Sequence, residues 1–368
     1  MEWVRIPAYF HSFYSMLRDI MSFQEKYGKL FSPTKYLNYD PIFLCNAYLD
    51  EAPIAPYIPY KEEICWMGDT WEETQVAAND ISVQRMPQPF SLASYPLELK
   101  SFQASAYSEF KASGKISRDT NVIRLESLEI AQEETRLIVQ KAKYTDQVQS
   151  NLVLDWADKH ALNDVGVATL RSYFLSQYPK KLPPLSEQRL ANTIGISVIL
   201  FYRNSSGTYV PYLPMRTKGL IDDKKILAVF EGGYTCTASG AAEWSQGETF
   251  DRIFTEDMYA ELHDEVGVER NDVEVMLPLA LCREFLRGGK PQIFYAGLTT
   301  LSETELAEKR RHALQRQEAL PDKVEIEDTQ LVVSDFEQLK EDTRIRGLTS
   351  EAIAGVFYAE KFMRQYCS

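Results

Sequence analysis

The stretch Cys236 to Val268, CTASGAAEWSQGETFDRIFTEDMYAELHDEVGV, decides how the rest of the chain reads. Within it Glu261, Asp264 and Glu265 stand at i, i+3 and i+4, and at ~100° per residue that spacing puts three carboxylates on one face of a helix. Like charges so placed repel by about a few tenths of a kcal/mol per pair. A hard divalent cation with oxygen ligands, Mg²⁺ or Mn²⁺, would offset them. The ends of this helix are readable. Thr255 followed by Glu256 and Asp257 predicts an N-cap with acids in the first turn, and Gly267 after Val266 predicts a stop, so the helix spans about Glu256 to Val266. Ahead of it, Gly240-Ala-Ala-Glu-Trp-Ser-Gln-Gly247-Glu248 is a small-residue loop ending in Gly-Glu, preceded by a β-like run, Ile226 to Phe230, and a Gly232-Gly233 turn. In a chain of net charge −13 an acidic helix also reads as a solvated face, and that alternative stands beside the ligand reading.

Strand, glycine loop, acidic helix and glycine stop together resemble the Nudix box, whose pattern is a glycine, five residues, a glutamate, seven residues, then Arg-Glu-apolar-x-Glu-Glu-x-Gly-apolar. The run Glu261, Leu262, His263, Asp264, Glu265, Val266, Gly267, Val268 follows the end of that pattern, with Asp264 replacing the first glutamate of the pair. Three departures stand out. Ala260 occupies the place of the family's arginine, which helps to hold a box carboxylate; Ala242 occupies that of the first glycine; and about four extra residues lie between Glu248 and Ala260. The resemblance covers roughly Ala191 to Thr300.

What the resemblance implies is an α/β (α+β) fold, a Nudix-like mixed sheet covered by helices. The implied activity is metal-dependent hydrolysis of a diphosphate linkage in a nucleoside diphosphate derivative, with Mg²⁺ or Mn²⁺ as cofactor and a small nucleotide as substrate. Glu261 and Glu265 would be metal ligands, Asp264 a ligand or water-orienting group, and Glu248 a fourth candidate ligand. His263, at ~200° from Glu261, faces away from them. The departures also favour a second reading, a Nudix-fold nucleotide sensor or regulatory binding protein without turnover. A third is a structural partner whose aromatic amino-terminal half forms an interface.

A length of 368 residues suggests two domains, or one domain with a large extension. Pro179-Lys-Lys-Leu-Pro-Pro184 is the best boundary, giving residues 1–185 as an amino-terminal α/β extension and 186–368 as the domain that carries the box. A composition 45% hydrophobic and 12% aromatic can bury a core. Net charge −13 argues against an extended nucleic-acid surface, which needs clustered Lys and Arg. Arg203, Arg216, Lys218, Arg283, Arg287 and Lys290 could grip phosphates, although each reads first as an ordinary exposed cation. Five scattered cysteines without Cys-x-x-Cys spacing point to a reducing cytoplasm. The longest apolar run, Ile194 to Tyr202, is too short to span a bilayer, so no membrane association is expected. No phosphate-binding P-loop, dinucleotide fingerprint, zinc-protease motif or nucleophile elbow is present.

Along the chain, residues 8–27 carry Tyr9, Phe10, Phe13, Leu17, Ile20 and Met21 at helical spacing, a stripe suited to core or subunit contact and hence to a homo-oligomer. Val122 to Ile130 and Leu137 to Tyr144 alternate as a hairpin would, with a helix kept open by the glutamates between them. Asn151 to His160 and Asp164 to Tyr178 are predicted largely helical. Ile194 to Arg203, the turn Asn204-Ser-Ser-Gly207 and Tyr209 to Arg216 predict a hairpin. Val273 to Cys282, Pro291 to Leu298 and Gln330 to Val333 predict strands, and Ser302 to Leu314 and Ser350 to Arg364 helices.

Overall fold

A computed structural model of the chain describes residues 33–35, 44, 46–48, 50–51, 66–72, 81–97, 99–100, 104–105, 108, 119–130, 135–158, 169–216, 233–318, 326–330 and 348–366. The helix expected over residues 8–27 and the strand expected at Ile226 to Phe230 lie outside them. In chain order the strands are β1 (Pro33–Lys35), β2 (Trp66–Glu72), β3 (Ile81–Arg85), β4 (Asn121–Ile130), β5 (Thr135–Lys143), β6 (Trp156–Asp158), β7 (Gly195–Arg203), β8 (Tyr209–Tyr212), β9 (Pro214–Arg216), β10 (Ala238–Ala241), β11 (Val273–Glu284), β12 (Lys290–Ser302) and β13 (Ile326–Gln330). The α-helices are α1 (Tyr144–Val148), α2 (Leu170–Gln177), α3 (Glu256–Val266), α4 (Glu303–Glu318) and α5 (Ser350–Tyr366).

The expected mixed sheet covered by helices is present. Its spine is β7, GISVILFYR, buried along its whole length except at Arg203. Ile196, Val198, Leu200 and Tyr202 enter one core, and Ile199 and Phe201 enter another. A strand apolar on both faces must be covered on both. On one face α5 packs Ile353, Val356 and Phe362 against Phe201, Phe294 and Cys282. On the other, α3 and α4 place Met258, Leu262 and Leu306 against Val198, Leu200 and Tyr295. The six-stranded sheet runs β10-β7-β12-β11-β2, with β8 also paired to β7. β12 runs parallel to β7 and the remaining pairs are antiparallel, which makes the sheet mixed.

β4 and β5 form the antiparallel hairpin read from their alternation, and β3 joins β5 in parallel to complete a three-stranded sheet. This smaller sheet docks on the larger through β4. Ile194 donates its N–H to the Ile123 carbonyl at 2.8 Å, and Leu125 donates to Asn192 at 3.1 Å. The central sheet takes strands from both sides of the boundary expected at 185/186, since β2 hydrogen-bonds to β11. Arg171 crosses it as well: its guanidinium holds Asp155 and donates to the carbonyls of Phe285, at 2.9 Å, and Leu286, at 2.5 Å.

Local expectation fails at Asn151 to His160. Instead of helix, residues 151–155 are turns and Trp156–Asp158 is β6, paired antiparallel with β1. Trp156 is fully buried among Leu154, Leu170 and Phe174, and that burial outweighs a weak helical pattern. Asp164 to Tyr178 begins outside the described residues; within them α2 starts at Leu170, where Thr169 caps it by accepting the Ser172 N–H at 3.0 Å. The return strand of the predicted hairpin divides, because β9 leaves the central sheet to pair with β13. β13 covers Ile326–Gln330; of the strand expected over Gln330 to Val333 only Gln330 is among the described residues. The remaining predicted strands and helices form within a few residues of their expected limits, α3 coinciding with its prediction.

Candidate functional site

Helix α3 ends on Gly267 in the left-handed region, φ 79°, with the Gly267 N–H bonded to the His263 carbonyl at 2.9 Å. A Cβ at Gly267 would stand 2.6 Å from the Lys309 carbonyl of α4, so the close passage of the two helices also requires glycine. Side chains of α4 hold the last turn of α3. The fully buried Arg310 donates to the Glu265 carbonyl, and Arg316 donates to the His263 carbonyl at 3.2 Å, cations where the helix dipole favours them.

The start of α3 differs from the sequence expectation. Thr255 is itself helical, φ −75° and ψ −38°, and does not cap; its hydroxyl donates to Asp251 Oδ1 at 3.1 Å. The chain enters α3 through a π-helical turn, Asp251–Thr255, with Ile253 and Phe254 buried beneath it. The wider turn takes up length ahead of the acidic run without breaking the helix.

The carboxylates that meet the strand side of the site are Asp257, Glu261 and Glu265, at i, i+4 and i+8 along one face of α3. Glu265 Oε2 accepts the Ser239 N–H at 3.0 Å, and Asp257 Oδ2 accepts the Glu243 N–H at 2.7 Å. Between them Glu261 lies over Gly240, where a Cβ would stand 1.9 Å from Glu261 Oε1. Glycine at 240 thus leaves the space that the Glu261 carboxylate fills. Asp257 was read from the sequence only as a first-turn acid, although its i−4 spacing from Glu261 was the signal for this row. Burial raises its pKa to about 6, with the Glu243 N–H opposing the rise and the Glu243 charge adding to it.

Asp264 and Glu248 are exposed, whereas Glu265 is buried and Glu261 partly so. Among the described residues no group of three or more His, Cys, Asp or Glu side chains gathers with the geometry of a metal site, so Glu248, Glu261, Asp264 and Glu265 are not assembled into one cage. What α3 offers is a pair of hard oxygen donors, Glu261 and Glu265, beside a glycine. That donor set fits Mg²⁺ or Mn²⁺ held in the usual way for such ions, by one or two carboxylates completed by water and substrate phosphate. His263 faces elsewhere, its Nδ1 2.9 Å from Glu269 Oε1.

The loop from Ala242 to Glu248 is clamped from three sides. Ala242 is fully buried, donating to the Ile194 carbonyl at 2.9 Å and accepting the Ile123 N–H at 2.9 Å. Trp244 donates its N–H to the Asn121 carbonyl at 2.9 Å. Arg85, from β3, donates to the carbonyls of Ser245 at 2.8 Å and Gly247 at 2.5 Å, with its guanidinium 4.5 Å from the centre of the Trp244 ring.

The cations considered for phosphate are largely engaged elsewhere. Arg203 stacks on Tyr209, 4.7 Å from the ring centre, and Arg287 pairs with Glu284 at 3.5 Å. Arg283 and Lys290 are buried rather than exposed. Arg283 donates to the carbonyls of Gly289, at 3.0 Å, and Pro183, at 2.5 Å, and Lys290 donates to Gln292 Oε1 at 3.1 Å. Arg216 belongs to β9, and Lys218 lies outside the described residues. Among the described residues no helix is long and apolar enough to cross a membrane.

No known family model matches the chain, and no curated protein matches it. Among solved structures, it is similar to a mutT/nudix family protein from Listeria innocua at 16% identity and TM-score 0.30, over 47% of this chain and 94% of that one. It is similar to RenU, a Nudix hydrolase from M. smegmatis, at 11% identity and TM-score 0.27, over 48% of this chain and 88% of that one. A C. elegans Ap4A hydrolase binary complex matches at 10% identity and TM-score 0.24, over 47% of this chain and 99% of that one.

Proposed function

We propose that the chain hydrolyses a diphosphate linkage in a small nucleoside diphosphate derivative with the help of Mg²⁺ or Mn²⁺. The observation that carries this reading is the paired placement of Glu261 over Gly240 and of Glu265 on the Ser239 N–H. Two hard oxygen donors one helical turn apart are thereby fixed beside a strand end whose glycine leaves the backbone bare.

Glu261 and Glu265 would hold the cation, and the Ser239 N–H sets the orientation of Glu265 by occupying one of its oxygens. Asp264 and Glu248, both exposed, would at most reach the ion through water. A cation bound there would supply charge neutralisation at the bridging phosphates and a lower pKa for the attacking water. With net charge −13 on the protein, a polyanionic substrate depends on that cation for entry.

The test is a panel of ADP-ribose, NAD, dinucleoside polyphosphates and nucleotide sugars, incubated with Mg²⁺, Mn²⁺ or EDTA and read by product chromatography. Metal-dependent cleavage between phosphates is expected. Glu265→Gln keeps the hydrogen bond to Ser239 but removes the charge, so it should lose turnover by about 100-fold or more with little change in thermal stability. Unchanged turnover in that variant would sink the site assignment. Ala260, exposed on α3, favours a second reading, because no arginine precedes Glu261 to brace the row. A nucleotide sensor would show thermal stabilisation by one compound of the panel and cleavage of none.

A further inference from the structure

We infer that Arg85 is a positioning residue for the candidate site, an inference that rests on the diphosphate-hydrolase reading: the amino-terminal sheet holds the Glu248 loop through this guanidinium. Arg85 ends β3, more than a hundred residues upstream of the loop, yet it donates one nitrogen to the Ser245 carbonyl and another to the Gly247 carbonyl. Stacked on Trp244, the same group contacts three of the four residues that precede Glu248. Charge-assisted bonds from one planar fork to two carbonyls fix a loop in a way that a single ammonium does not.

The rest of the clamp shows which part of the loop depends on Arg85. Ala242 and Trp244 are tied to β4 by backbone bonds, Glu243 sits in an antiparallel bridge with Val122, and Glu243 is also held by Asp257. None of these contacts involves Arg85. Beyond Trp244 the loop is held by Arg85 and by a weak 3.4 Å bond from the Gly247 N–H to Ser245 Oγ. Gly247 must also pass close to the π-helical turn, since a Cβ there would stand 2.7 Å from the Arg252 carbonyl. Arg85 therefore sets where Gly247 hands the chain to Glu248 and on into α3. In this reading the three-stranded sheet is a working part of the site.

Full-length wild type, Arg85→Ala and Arg85→Lys are compared by amide hydrogen exchange, by Mn²⁺ titration followed by electron paramagnetic resonance, and by turnover of whichever panel compound the wild type cleaves. For Arg85→Ala, exchange over residues 245–249 should rise about tenfold or more while the central strands keep their protection. KM and Mn²⁺ affinity should stay within about threefold and kcat should fall about tenfold, the split expected when a group is displaced and the two carboxylates Glu261 and Glu265 are not. Arg85→Lys should recover less than half of either loss. Unchanged exchange over 245–249 overturns the clamp. Raised exchange with unchanged kcat overturns its bearing on the site. A wild type with neither Mn²⁺ binding nor turnover overturns the hydrolase reading and the positioning role with it, and is distinguished from the other outcomes because it needs no variant.

Discussion

Replacing Arg171 by methionine should destabilise the protein by about 3–5 kcal/mol, the usual cost of breaking a buried ion pair and leaving one charge behind. The side chain of Arg171 is 3% exposed and that of Asp155 11%. The pair is bidentate, Nε to Oδ1 at 2.6 Å and Nη2 to Oδ2 at 2.7 Å. Nη1 also donates to the Tyr48 hydroxyl at 2.7 Å and to the Phe285 carbonyl at 2.9 Å. Burial works against the guanidinium charge, but the attraction of Asp155 and then of Tyr48 outweighs it and holds the pKa above the ordinary arginine value. Methionine fills much of the volume and satisfies none of these acceptors, so Asp155 is left buried and uncompensated. Urea unfolding followed by far-ultraviolet circular dichroism measures the loss. Removing both charges in Asp155→Leu/Arg171→Met should restore about 2 kcal/mol or more relative to Arg171→Met alone, since no orphan carboxylate remains. A loss below about 1 kcal/mol, or a double variant that is simply additive, would refute the view that this pair locks the amino-terminal region to the β11–β12 turn.

Lys290 has its pKa pulled down to about 8, first by burial and then by the nearby Arg287 charge. The folded protein therefore binds fewer protons than the unfolded chain between about pH 8 and 10.5, and stability rises with pH across that window by up to about 3 kcal/mol. Lys290→Met should be the more stable protein at pH 7, and the difference in urea midpoint should shrink by pH 10. Asp257 has the opposite sign. With its pKa raised to about 6, the folded state binds more protons between about pH 4 and 6, so stability falls as pH rises through that range. Asp257→Asn keeps an acceptor for the Glu243 N–H and should gain up to about 3 kcal/mol on wild type at pH 7 but not at pH 4; equal gains at both values would dismiss the titration of Asp257 as the cause. Gly240→Ala must push Glu261 aside, because its Cβ would meet Oε1 at 1.9 Å. A fold loss of about 1–3 kcal/mol and Mn²⁺ binding weakened about tenfold are expected, read by thermal melts and metal titration.

Much of the site was legible because its determinants are local. The limits of α3 follow from acids in its first turn and from a glycine that accepts φ 79°, and both are properties of neighbouring residues. The hairpins β4–β5 and β7–β8 followed from alternation and turn residues in the same way. The row that faces the strand was only half legible. Glu261 and Glu265 lie on it, but Asp264, chosen from the same spacing argument, is exposed, and Asp257 takes its place toward the loop. A helical wheel gives angles between side chains; which angle faces the sheet depends on where β10 passes.

Read alone, the sequence carried a mixed α/β pattern with a glycine-bounded acidic helix and an apolar spine at Ile194 to Arg203. The assembled sheets, and no local pattern, put Trp156 in a strand paired with residues 33–35, joined β2 to the central sheet and buried Arg283 and Lys290. They also brought Arg85 to the Glu248 loop. The physical reason is the same in each case. These partners lie tens to hundreds of residues apart, and the burial and hydrogen bonding that set their conformation arise only once the sheets have come together, where they outweigh the weak preferences of a short segment.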